Sequence, residues 1–145
     1  MKQELYNRLA TALKQVDNGA VKHVDLWNHN IEFLEQEEGW PRPAVFIEFE
    51  PIKWNDLVPG VEYRANVRVR LHIVTDWNPD DDGIDHLGSF ELPEKIHREL
   101  AGMDGEQFRA LDLAESHTNH NHEDLMESIE VYDCVGYKHF DRGGQ

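Results

Sequence analysis

Glu62-Tyr63-Arg64-Ala65-Asn66-Val67-Arg68-Val69-Arg70-Leu71-His72-Ile73 is the stretch on which the fold turns. Tyr63, Ala65, Val67, Val69, Leu71 and Ile73 alternate with Glu62, Arg64, Asn66, Arg68, Arg70 and His72. A period of two sends successive side chains to opposite faces, so the segment reads as a long β-strand with one buried and one polar face. Upstream, Pro41-Arg42-Pro43 fixes an extended entry into Ala44-Val45-Phe46-Ile47-Glu48-Phe49-Glu50, and Pro51 closes that run as a second strand. Residues 55–60, with Pro59-Gly60, read as the loop between the two.

Outward from this hairpin, Leu5, Leu9, Leu13 and Val16 recur at helical spacing against a polar face, which predicts an amphipathic helix over residues 2–16. Asp17-Asn18-Gly19 stops it. A short β element is expected around residues 21–27, and residues 28–38 read either as a helical turn or as an excursion. Residues 76–92 open as an acidic loop, with Asp76, Asp80, Asp81, Asp82 and Asp85. Ile84, Leu87, Ile96 and Leu100 then suggest a second helix, clearest over residues 93–101, where Pro93 suits a first turn. Residues 108–115 and 125–137 read as two closing strands joined by a histidine-rich loop, residues 116–124. The expected order is helix, short strand, two strands, helix, two strands. Such segregation argues an α+β fold: a mostly antiparallel sheet of four to five strands with two packing helices.

The 145 residues suit one domain. Lys plus Arg number 14 against 29 Asp plus Glu, a net charge of −15 that opposes attraction to nucleic-acid phosphates. The lone Cys134 lies in a strand pattern, cannot form an internal bridge, and reads as a small hydrophobe. No run approaches the roughly 18 apolar residues of a membrane helix, and Met1-Lys2-Gln3-Glu4-Leu5 begins no signal core. The expectation is a protein made in the cytosol, with no membrane partner.

Three constellations could carry chemistry. His117, His120 and His122 fall within six residues, and imidazole is a common zinc or nickel ligand. A polar loop without cysteine supplies no shell to orient the rings, so adventitious binding explains them as well. Asn78-Pro79-Asp80-Asp81-Asp82-Gly83 matches the first half of a calcium loop, but Ser89 stands where the bidentate glutamate belongs. The serines Ser89, Ser116 and Ser128 lie in no nucleophile elbow. Glu48 and Glu50 share a strand face, one weak carboxylate pair among many acids. No phosphate-cradling glycine motif occurs. Catalytic residues, cofactor and metal are therefore expected to be absent.

Arg64, Arg68 and Arg70 form a basic stripe in an acidic chain. Cross-strand pairing with Glu48 and Glu50 explains it, and so does contact with an acidic face of a neighbouring subunit. Trp54, beside the residue 55–60 loop with its Asp56, is placed like an interface anchor, although core packing is the commoner fate of tryptophan.

The segments Pro43-Ala44-Val45-Phe46-Ile47-Glu48-Phe49, Val67-Arg68-Val69-Arg70-Leu71-His72-Ile73-Val74 and His120-Asn121-His122-Glu123-Asp124-Leu125 together resemble one family. They are similar to the tail terminator proteins of long-tailed bacteriophages and prophages, also called tail completion or head–tail joining proteins. The resemblance follows element order along nearly the whole chain. It implies a small α+β protein of the virion tail, assembled in the host cytoplasm. There it forms a homo-hexameric ring that caps the tail tube and meets the head connector. It implies no enzyme activity, cofactor or catalytic residue. DNA would pass through such a ring unbound, and Asp80, Asp81, Asp82 and Asp85 are candidates for an acidic channel or loop. The alternatives are a tube subunit or head-closure protein of similar fold, a metal-binding module on His117, His120 and His122, and a cytosolic adaptor.

Overall fold

Strand β4 (Glu62–Asp76) is the spine of the molecule, and every other strand but two pairs directly with it. The computed structural model describes residues 1–28, 40–76, 83–122 and 125–141, with residues 83–89 and 120–122 described by their backbone. On one side β4 pairs along its whole length with β6 (Leu125–His139). On the other it pairs with β2 (Ala44–Phe49) at one end and with β3 (Asn55–Val58) at the other. β5 (Phe108–His122) lies outside β6, and β1 (His23–Leu26) runs parallel to β2. The sheet is six-stranded, in the order β1-β2-β4-β6-β5 with β3 beside β4.

The alternation of β4 is realised in its burial. Ala65, Val67, Val69, Leu71 and Ile73 are all buried on the face that both helices cover. Helix α1 (Lys2–Gln15) lays Leu5, Leu9 and Leu13 there, and Val16 follows in a short 3-10 turn. Each such side chain contributes about 1.5–3 kcal/mol relative to leaving it in water. Helix α2 (Gly83–Leu100) adds Leu92, Ile96 and Leu100 to the same core.

Four expectations are corrected. Residues 55–58 form β3 instead of loop, which adds a sixth strand to the four to five expected. All four β3 residues are exposed, and an exposed strand leaves no hydrophobic alternation to read. The second helix begins at Gly83, with Pro93 inside it instead of in its first turn. A proline there removes a single intrahelical hydrogen bond, which the buried Leu92, Ile96 and Leu100 offset. Part of the expected acidic loop is thus helix, and Asp80, Asp81 and Asp82 lie outside the described residues. The histidine-rich segment is strand up to His122, because β5 stays paired with β6 as far as His122 opposite Leu125.

The fourth correction concerns phase. Simple alternation over residues 108–115 places Phe108 and Leu111 on opposite faces, yet both are fully buried. A bulge between Arg109 and Asp112 inserts the extra residue. Ala110 takes φ 60°, and its N–H donates to Asp104 Oδ1 at 2.7 Å. The N–H of Leu111 then reaches the Met103 carbonyl, tying the strand to the end of α2.

The opposite face of the sheet is not uniformly polar. At one end Trp40, Ala44, Phe46, Val74 and Leu125 form a second buried cluster, with Trp27 packed against it.

Candidate functional site

The face of β4 that points away from the helices collects charge from four strands. Glu48 stands opposite Arg70, Asp133 opposite Arg68, and Glu127 opposite Val74. Side chains opposite each other in a sheet share a face, so Glu50 just past β2, Glu115 of β5 and Asp133 of β6 converge on the arginine stripe of β4.

Arg68 is the hub. Its guanidinium donates through Nε to Asp133 Oδ1 at 2.8 Å and through Nη2 to Asp133 Oδ2 at 3.2 Å. Nη1 reaches Glu115 at 3.4 Å, and Glu50 lies at 3.9 Å. The Asp133 hydrogen bonds, then its charge, hold Arg68 more firmly protonated than an ordinary arginine. Arg70 donates to Glu50 at 3.4 Å. Arg64 is exposed and makes no ion pair among the described residues.

Farther along the face the polar row becomes buried. His72 is 4% exposed, with Nε2 2.8 Å from Glu48 and Nδ1 2.8 Å from Glu127. Trp27 stacks on its ring at 3.8 Å between centroids. Asn119 of β5 donates to the other oxygen of Glu127 at 3.1 Å. Both ring nitrogens of His72 are committed and its face is covered, so the ring offers no open position to a ligand. Its chemistry is that of a clamp joining β2, β4 and β6.

A groove of about 550 Å³ lies on the helix side, between α2 and β5. Its floor carries Glu130, 8% exposed, which accepts a hydrogen bond from the Ser116 hydroxyl. Burial raises the Glu130 carboxyl above its ordinary range. His97 Nδ1 lies 3.2 Å from the Tyr132 hydroxyl nearby. Phe90 and Leu113 form an exposed apolar rim, with Arg98 beside them.

The remaining sequence candidates are dispersed. His117 is exposed on β5 and lies 3.1 Å from Glu115, while His120 and His122 are placed only as backbone positions at the strand's end. Among the described residues no group of three or more His, Cys, Asp or Glu could hold a metal ion. Asp85 falls in α2, with its side chain outside the described residues. Trp54 is half-buried against the core, with Lys138 Nζ 4.7 Å over its ring. Asp56 is exposed on β3 opposite Tyr63. The Cys134 thiol is buried and pushed up to about 11 by desolvation, then by Asp133, so it stays protonated at neutral pH.

Sequence reasoning did not single out the His72 clamp or the α2–β5 groove. The signal for the first was present: Phe46 and Val74 are apolar in the same strand register as His72, which marks that end of the polar face as covered. The groove left none, since it arises where α2 lies beside β5 and no residue pattern announces that docking.

The architecture is α+β, a mixed six-stranded sheet with two helices on one face. Neither a protein-family model nor a curated protein sequence matches the chain. Among solved structures, the fold is similar to a chain described as "Virion of native gene transfer agent (GTA) particle". The two agree with a TM-score of 0.60 at 11% identity, over 94% of this chain and 97% of that one. At that identity the likeness is one of fold.

Proposed function

We propose that this chain is a structural component of a phage-like virion, of the tail terminator or tail completion type. In this role it closes into a homo-hexameric ring on the tail tube, stops its growth and meets the head connector. The observation that carries the proposal is the fold shared over 94% of the chain with a chain of a gene transfer agent particle. The likeness to tail terminators in element order and in the three quoted segments supports the finer role. The charge supports it too: six copies at −15 each carry −90, which repels the DNA a tail channel must pass without holding. Asp80, Asp81, Asp82 and Asp85 are the residues proposed for that channel. Arg64, Arg68, Arg70, Trp54 and Asp56 are proposed at subunit or partner contacts; of these, Arg64 on β4 and Asp56 on the neighbouring β3 are exposed. No catalytic step is assigned, and the proposed place of action is the virion tail, reached from the host cytoplasm.

The test is to add the purified chain to polymerising tail-tube subunits of its own particle. Tubes capped at one end and no longer growing are expected. Incorporation of the chain along the tube wall would make it a tube subunit and overturn the terminator role.

A further inference from the structure

Among the described residues, five of the six exposed large apolar side chains gather on two different sides of this molecule; the sixth, Leu26, stands apart on β1. Leu57 and Val58, 58% and 44% exposed, sit on β3, and Phe140 lies beside the same hairpin, its N–H donating to Val61. Phe90 and Leu113, 48% and 39% exposed, rim the groove between α2 and β5. The sheet order sets these patches on opposite edges, with β3 on the β2 side of β4 and β5 beyond β6. One patch is a projecting hairpin and the other a concavity. A ring of identical chains needs such a heterologous pair, because each copy must offer two different surfaces to its two neighbours.

Charge points to the same pairing. Asp56 adjoins Leu57 on β3, and Arg98 stands at the groove wall. Both are exposed, and neither makes an ion pair among the described residues. The carboxyl on the groove floor, Glu130, is already served by Ser116, which leaves the rim to receive a partner.

The geometry points to an intersubunit contact in which β3 of one copy seats in the α2–β5 groove of the next. Leu57 and Val58 pack between Phe90 and Leu113, and Asp56 meets Arg98. The inference rests on the ring proposed above and names the surfaces that close it.

Charge exchange tests it. Asp56→Arg and Arg98→Asp each place like charges across the contact, and each is expected to raise the half-assembly concentration about 10-fold or more. The double variant restores the pairing in reversed sense and is expected to assemble like the wild type. Leu57→Asp is expected to abolish the ring. Unchanged circular dichroism and melting of each variant establish that the chain remains folded, since all three positions are exposed. Wild-type rings that persist unchanged in the single variants overturn the contact and leave the ring intact. So do single variants that lose the ring without recovery in the double variant. A wild-type chain that never assembles overturns the ring itself.

Discussion

His72 and Trp27 stack with their ring planes 3° from parallel and their centroids 3.8 Å apart. The indole thereby seals a histidine that already holds Glu48 and Glu127 at 2.8 Å each. Removing the imidazole leaves Glu127, itself 8% exposed, without its main partner. A buried acceptor stripped of its donor costs more than the hydrogen bond it made. His72→Ala is expected to lose about 2–3 kcal/mol. The check is urea denaturation, with the midpoint lowered at unchanged slope; an unmoved midpoint contradicts the clamp.

Arg68 gathers Asp133, Glu115 and Glu50 around one guanidinium. Arg68→Met leaves those carboxylates to repel one another. The variant is expected to melt below the wild type at low ionic strength and to approach it in about 1 M salt, where the Debye length falls to about 3 Å. Equal deficits at both salt concentrations would mean that the arginine acts through packing of its stem instead.

Glu4 ties α1 to the connection before β5, accepting the N–H groups of Gln107 and Glu106 at 2.8 and 3.0 Å. Desolvation opposes ionisation, but these backbone donors outweigh it and hold the carboxyl below its ordinary value of 4.5. A depressed folded-state pKa gives stability that is present above the unfolded value and is lost as pH falls through the folded one. Glu4→Gln is therefore expected to lie below the wild type in stability above about pH 5 and to converge with it in more acidic solution. A gap that stays constant down the acid limb contradicts the assignment.

Ala110 occupies the left-handed region at φ 60°, where a Cβ is disfavoured. Ala110→Gly relieves that strain at some cost in chain entropy and is expected to gain about 0.5 kcal/mol, whereas Ala110→Val loses stability. Thermal melts of the pair decide it. A destabilising glycine would place the bulge elsewhere in β5.

How much of this was legible follows from what each element uses to hold itself. The central strand was, because Ala65 to Ile73 alternate without a break and their burial follows that alternation as far as Leu71. α1 was, because its leucines supply one continuous stripe. β3 was not, since backbone pairing to β4 alone defines it and its side chains stay in water. β5 was half legible: the bulge shifts Leu111 onto the face of Phe108, and no residue type announces that shift. His72 was counted with the polar row, and it is buried because Trp27, just past β1, and Phe46 of β2 close over that end of the sheet. Arg68 and Arg70 satisfy much of their charge within the chain, whereas Arg64 and Asp56 do not among the described residues. That split is visible only once the registers are known.

The central claim is a closed ring, and the solution mass by light scattering after size exclusion tests it most directly. Over a range of protein concentrations the account predicts one dominant species near six times 16.9 kDa. A mass that stays at one chain at every concentration, or that grows without limit into filaments, would contradict it.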